Sequence, residues 1–238
     1  MIRLDKFLAD ADLGTRNEIK QNIKKKQVTV NQEVITDPGT KIDPLSDAVC
    51  FMGKPVIYEK FRYFMLNKPQ GCVSATRDNL SETVIDILKS ENVKGLFPVG
   101  RLDADTEGLL LITNDGQLAH RLLSPGKHVS KTYYVEASGK LSEEAMKIIE
   151  EGVDIGDDKP TLPAQIVETG GCEGRFFYEL TICEGRFHQV KRMFEAVGSS
   201  VVFLKRISMG SLVLDENLLP GEYRRLLDSE IKELTGFF

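Results

Sequence analysis

Three acidic side chains at alternate positions, Asp103, Asp105 and Glu107, stand directly before an apolar run from Gly108 to Ile112. A carboxylate at the edge of a buried element can serve as a nucleophile or a general acid. On an extended strand all three would project from one face. Like charges repel there, so the spacing predicts a loop that enters a buried strand at Gly108. Asn114-Asp115-Gly116 reads as a turn, and Gln117 to Leu123 as the start of a helix. A calcium loop also begins Asp-x-Asp-x-Glu-Gly, but its twelfth position must hold a bidentate Glu, and counting from Asp103 puts Asn114 there. Spacing alone leaves two readings open: a solvated acidic loop and a catalytic carboxylate loop.

The segment Gly100-Arg101-Leu102-Asp103-Ala104-Asp105-Thr106-Glu107-Gly108-Leu109-Leu110-Leu111 resembles the central motif of the RsuA-type RNA pseudouridine synthases. Four more segments resemble that family in the same order. They are Arg62-Tyr63-Phe64-Met65-Leu66-Asn67-Lys68-Pro69-Gln70-Gly71, then Lys131-Thr132-Tyr133-Tyr134-Val135, then Glu184-Gly185-Arg186-Phe187-His188-Gln189-Val190-Lys191-Arg192-Met193, and Leu219-Pro220-Gly221-Glu222-Tyr223-Arg224. The resemblance spans essentially the whole chain.

What it implies is an isomerase. Uridine becomes pseudouridine when the N-glycosidic bond breaks, the base turns and C5 joins the sugar. No redox cofactor, nucleotide or metal is chemically required. The resemblance makes Asp103 the catalytic carboxylate and Tyr133 the residue that stacks on the uracil and is a candidate for proton transfer. Asp105 and Glu107 lie where the family has no nucleophile. A buried carboxylate needs a cation beside it; the family's basic residue aligns with Lys191, with Arg192 adjacent. Arg101 and Arg192 are expected at the RNA, and Ile182 against the uracil. His188 is read as structural or RNA-contacting. The target uridine must be extruded from its stack.

Composition bounds these expectations. The chain has 238 residues, 41% of them apolar, which fits one or two ordinary domains. It carries no apolar run long enough for a membrane span and no apolar leader. Cys50, Cys72, Cys172 and Cys183 are scattered without a Cys-x-x-Cys pair, so reduced cytosolic thiols and no metal site are expected. The net charge of −5 argues against RNA at first. Residues 1–30, however, hold seven Lys or Arg against four Asp or Glu. A segregated basic face can bind phosphate on an acidic protein.

The elements that must position these groups are legible from periodicity. Leu4, Phe7, Leu8 and Ala11 lie at helical spacing, and Asp12-Leu13-Gly14 ends that helix. Thr15 with Glu18 forms a capping-box pattern for a second helix. On it Arg16, Lys20 and Lys24 share a face that continues into Lys25, while Ile19 and Ile23 share another. A hairpin follows through Val28 and Val30, a turn at Asn31-Gln32, and Val34-Ile35. This small module resembles an S4 RNA-binding domain, with phosphate contact through Arg16, Lys20, Lys24 and Lys25. A linker from Gly53 to Lys60 sets domains at 1–58 and 59–238. Further on the patterns predict strands at Tyr63–Leu66, Thr132–Glu136, Phe176–Cys183, Val201–Leu204 and Ser211–Leu214. Helices are predicted at Thr83–Leu88, Ser142–Glu151 and Gln189–Val197. The class expected is α+β, a mixed and largely antiparallel sheet behind the small module.

Two other functions are weighed. One is an inactive S4-type RNA-binding protein, which the presence of Asp103, Tyr133 and Lys191 disfavours. The other is a glycosidase using Asp103 and Asp105, whose i and i+2 placement does not flank a substrate. Within the family, the Arg62 segment and the His188 and Lys191 positions tilt the resemblance toward members acting on 16S rRNA, at position 516, over those acting on 23S rRNA. The expected partner is therefore ribosomal RNA in a small-subunit assembly particle. The enzyme is expected to be a cytoplasmic monomer.

Overall fold

A computed structural model describes residues 1–89 and 91–236. The chain divides into two compact units, Met1–Phe61 and Arg62–Phe238. The division falls three residues past the expected position.

In the first unit the elements run β1 (Ile2–Arg3), α1 (Leu4–Asp10), α2 (Arg16–Lys24), β2 (Val28–Val30), β3 (Glu33–Val34), β4 (Lys41–Ile42), β5 (Val49–Phe51) and β6 (Lys54–Pro55). The capping box at α2 is formed: Glu18 accepts from the Thr15 backbone N–H at 2.7 Å, and its own N–H donates to Thr15 Oγ1 at 3.3 Å. Asn31 and Gln32 both take positive φ, as a two-residue hairpin turn demands. The hairpin grows into a four-stranded sheet, β3-β2-β5-β6, and β1 pairs with β4. Leu4, Phe7, Leu8, Ile19, Ile23, Val28 and Ile42 close a core of their own, which is what lets so short a unit stand as a domain.

The second unit runs β7 (Tyr63–Lys68), α3 (Val84–Ile87), β8 (Phe97–Pro98), β9 (Glu107–Thr113), α4 (Gly116–Leu123), β10 (Lys131–Ala137), α5 (Glu143–Glu151), β11 (Gln165–Cys172), β12 (Arg175–Ile182), α6 (Gln189–Ala196), β13 (Val201–Met209), β14 (Leu212–Val213), β15 (Tyr223–Arg225) and α7 (Asp228–Gly236). Its strands form one sheet in the order β11-β12-β10-β13-β9-β7-β15, with β14 on β13 and β8 on β9. Every pairing is antiparallel except that of β9 with β13. Apolar residues fill both faces of the central strands. Leu110 and Ile112 of β9 join the larger core, while Leu109 and Leu111 join the second. A strand buried on both sides reads as a continuous apolar run, which accounts for Leu109 to Ile112.

The parallel junction is short, Lys205 against Glu107 and Arg206 against Gly108. Gly108 has φ +103°, and a Cβ there would stand 2.2 Å from the Arg206 carbonyl oxygen. Only glycine lets the two strands approach so closely. This seam fixes where β9 begins, and hence where the acidic loop before it hangs.

Several elements lie outside the strand and helix patterns expected from sequence: the short strands β1, β4, β5, β6 and β8, then β11, a glycine-containing strand with many exposed positions, and the terminal pair β15 and α7. β13 extends five residues past the expected strand end, to Met209. Among the described residues no helix is long and apolar enough to cross a membrane.

Candidate active site

Asp103 sits on the loop between β8 and β9, and the end of β7 holds that loop. Lys68, the last residue of β7, is fully buried. Its ammonium donates to the backbone carbonyls of Asp103 (2.9 Å), Thr106 (2.9 Å), Ala104 (3.3 Å) and Pro69 (3.0 Å). A buried ammonium is costly unless its donors are used; here carbonyl dipoles take the place of a carboxylate. Burial still lowers the Lys68 pKa, with Cys72 and the loop carboxylates opposing that shift. Ser74 Oγ donates to the Leu102 carbonyl at 2.8 Å and accepts from the Leu102 N–H at 3.0 Å. Gly71 N–H donates to Ala104 O at 2.8 Å, and Thr106 N–H to Asp103 O at 3.0 Å. The loop is thereby tied by its backbone, so its carboxylates are not spent on holding it in place.

The second half of the site is the first turn of α6. Lys191 Nζ lies 2.6 and 2.8 Å from the two carboxylate oxygens of Asp105 and 3.5 Å from Asp103 Oδ2. The lysine thus bridges both loop carboxylates, with the tighter contact to Asp105. Asp105 is held below the ordinary aspartate range, first by the Lys191 hydrogen bond and against the cost of its partial burial. His188 Nε2 is 3.5 Å from Asp103 Oδ1 on the other side. Asp103 itself is 30% exposed, against 68% for Asp105.

A cavity of about 80 Å³ opens at Asp103, and its walls include Arg101, Thr106, Tyr133, Ile182, His188 and Lys191. Tyr133 of β10 and Ile182 at the end of β12 reach it from one sheet face, since Lys131 pairs with Ile182 and Tyr133 with Leu180. Tyr134 takes the opposite face, between Phe177 and Phe203. Among the described residues the Tyr133 hydroxyl has no hydrogen-bond partner. Thr106 Oγ1, also in the wall, is buried without one.

The structure therefore brings together Asp103, Tyr133, Lys191, Arg101 and Ile182, residues far apart in the chain. Arg192, expected at the substrate, is placed elsewhere. Its guanidinium donates to the carbonyls of Ile155 and Phe187 and to Asp157. One residue further along a helix turns the side chain by about 100°, so Lys191 meets the carboxylates and Arg192 the 155–157 loop. Arg186 binds the Lys159 and Pro160 carbonyls and Glu184. Gln189 joins the Arg186 N–H to Glu184. Together they clamp the loop that presents Lys191 and His188. Arg16, Lys20, Lys24 and Lys25 are exposed along and just after α2. Among the described residues none of the four side chains makes an ion pair or hydrogen bond.

Two contributions escape the sequence reading. Lys68 looks like the polar stop of a strand, and Asp105 like a solvated carboxylate. The signal for Lys68 is a lysine directly before a proline and a glycine-containing turn; its four acceptors, being backbone carbonyls, leave no trace in residue types.

Comparison with known proteins gives the family and the fold. The family described as RNA pseudouridylate synthase matches residues 62–196, and the S4 domain matches residues 2–49. The chain is 48% identical to the uncharacterized RNA pseudouridine synthase YtzG of Bacillus subtilis (strain 168), over 98% of both chains. It is 40% identical to the ribosomal small subunit pseudouridine synthase A of Haemophilus influenzae, covering 98% of this chain and 100% of that one. A crystal structure of a pseudouridylate synthase superposes with TM-score 0.68 and 40% identity, over 98% of this chain and all of the other.

Proposed function

The chain belongs to the RNA pseudouridylate synthase family, as an isomerase with an S4 domain ahead of its catalytic segment, and from that premise we propose that it converts one uridine of 16S ribosomal RNA to pseudouridine with Asp103 as the nucleophile. The observation that carries the reading is the convergence of Asp103, Tyr133, Ile182 and Lys191 on one cavity wall from four separate elements.

In this mechanism the target uridine leaves its stack and its base enters the cavity between Tyr133 and Ile182. The unstacking cost is offset by stacking on the tyrosine ring and by phosphate contacts outside. The Asp103 carboxylate supplies the electron pair that lets the N1–C1′ bond break. The freed uracil stays between the walls and turns until C5 faces C1′. The C5–C1′ bond forms, the C5 proton leaves, N1 gains one, and Asp103 is released. Atoms balance without an oxidant or reductant. Tyr133, with its hydroxyl unengaged, is positioned to take part in that proton movement. Lys191 holds the Asp105 carboxyl below its usual range and sets a cation 3.5 Å from Asp103.

The basic stripe on α2, Arg16, Lys20 and Lys24 with Lys25 after it, supplies sequence-independent phosphate contact. We assign residues 1–58 to RNA grip and residues 59–238 to catalysis. The 16S assignment is supported by the small-subunit name of the 40% identical relative. The enzyme is proposed to act as a cytoplasmic monomer on an assembling small-subunit particle. Deleting the gene and mapping modified sites by carbodiimide labelling and primer extension tests this. A single pseudouridine should vanish from 16S rRNA, at position 516; loss of a 23S site instead rejects the substrate and keeps the reaction.

A further inference from the structure

Phe187 is 70% exposed although it is a large apolar side chain. Its ring lies flat on the His188 imidazole, with centroids 3.8 Å apart and planes inclined by 18°. The backbone builds this stack. His188 takes the left-handed conformation at φ +48° as the N-cap of α6, an uncommon state for a residue with a side chain. The Phe187 carbonyl accepts from Arg192 Nη1 at 3.0 Å, so the loop is pinned on both sides of the pair.

The stack is continuous with the site already described. Phe187 and His188 line a groove of about 780 Å³ that shares Arg101, Asp103 and His188 with the inner cavity. Arg101 is exposed there and makes no ion pair or hydrogen bond among the described residues. A flat π face thus stands beside an unengaged guanidinium at the mouth of a pocket.

We infer that the outer face of Phe187 is a stacking subsite for the nucleobase next to the target uridine, with Arg101 receiving the phosphate between them. This rests on the RNA-modifying reading above. When a base leaves the stack for the inner cavity, its neighbour is left with one bare face, and a ring backed by an imidazole covers it. Base–aromatic stacking tolerates any base because each presents a π face. The geometry therefore favours the flanking nucleotide of a single-stranded or opened segment and makes the subsite one of position more than of base identity. Phe187 is a positioning residue, since the reacting atoms lie beyond His188.

The test uses the full-length protein and a 16S rRNA stem-loop carrying the target uridine, with 2-aminopurine placed on one side of the target or the other. In an Asp103→Asn background, which halts the complex before the bond breaks, emission from one of the two positions should be quenched with Phe187 and with Phe187→Tyr. It should rise several-fold with Phe187→Ala and Phe187→Leu. With Asp103 intact, Ala and Leu should raise KM about 10- to 100-fold, the range expected when one base stack is removed, while Tyr restores the wild-type value. Leu performing as well as Phe would reduce the ring to apolar filling and overturn the subsite. So would an Ala variant equal to wild type in both emission and KM. Turnover of the same RNA by the wild type examines the parent reading separately. A wild type that turns over beside an indifferent Ala variant rejects the subsite alone. A wild type that binds this RNA without making pseudouridine rules out the bare stem-loop as substrate, the function then being judged on the small-subunit particle, and the emission series still decides the subsite.

Discussion

The two loop carboxylates differ in what holds them, and their substitutions should separate. Asp103→Asn should abolish pseudouridine formation, to under about a tenth of wild type, with melting temperature and RNA affinity nearly unchanged, since among the described residues its carboxylate pairs only with Lys191 and His188, both at 3.5 Å. Asp105→Asn breaks the closer contact to Lys191 yet removes no reacting group. It should slow turnover several-fold without abolishing it; equal loss from both would revive a paired-carboxylate chemistry. Lys191→Met should cripple turnover and move the acidic limb of the rate profile to higher pH. That limb is expected to move by no more than the several-fold rate effect of Asp105: a cation holds its carboxyl below the usual range, removing the cation lets it take up a proton at higher pH, and carboxyl-carbon NMR of Asp105 reads the shift directly. If Arg192→Met has the larger effect on rate, the clamp on the 155–157 loop matters more than the ion pair.

At the level of elements, the end of β7 and the start of β9 do the positioning. Replacing the Lys68 ammonium leaves carbonyls of Pro69, Asp103, Ala104 and Thr106 without their shared donor. Lys68→Met should cost about 3 kcal/mol of stability, the scale of a few buried groups left unsatisfied. It should also lower kcat more than it raises KM, because the backbone that carries Asp103, the proposed nucleophile, is released while the groove is kept. Chemical denaturation together with steady-state kinetics measures both. Gly108→Ala places a methyl group on the Arg206 carbonyl. Reduced soluble expression, or a loss of at least about 2 kcal/mol, is expected from overpacking combined with a positive φ. Unchanged stability would mean the β9–β13 seam can open.

Across the whole molecule the charges divide by unit. Removing residues 1–61 takes away the exposed Arg16, Lys20, Lys24 and Lys25 and should leave a catalytic unit that folds, because the two larger cores lie entirely beyond residue 61. RNA affinity should fall, and the slope of log affinity against log salt should flatten by about one for each phosphate that α2 no longer neutralises. An unchanged slope would show that α2 does not meet phosphate. Acid should destabilise both units. Asp5 is held low by the Arg3 hydrogen bond, Asp157 by that of Arg192, and Glu230 by that of Arg224. Groups depressed in the folded state contribute stability above their unfolded values and lose it as pH falls through the depressed ones. A melting temperature that is flat from neutrality to about pH 5 and declines below about pH 4 is the expected profile.

Much of this protein can be read from residue order because the governing interactions are local. Thr15 and Glu18 cap α2 within one turn, Ser142 caps α5 by accepting from the Ala145 N–H, and Leu109 to Ile112 announce a strand buried on both faces. The motif around Asp103 likewise names the loop, and the alternation in β10 separates Tyr133 from Tyr134. What tertiary structure alone decided involves partners distant in the chain. The parallel seam of β9 and β13 rests on Gly108 meeting Arg206, and Lys68 reaches carbonyls some 35 to 38 residues ahead. Lys191 chooses between Asp103 and Asp105 only once α6 is docked, and Arg192 turns away by the pitch of that same helix. Local propensity cannot encode these choices. They depend on chain reversals brought together by burial of the sheet's two cores, and on backbone acceptors that carry no residue identity at all.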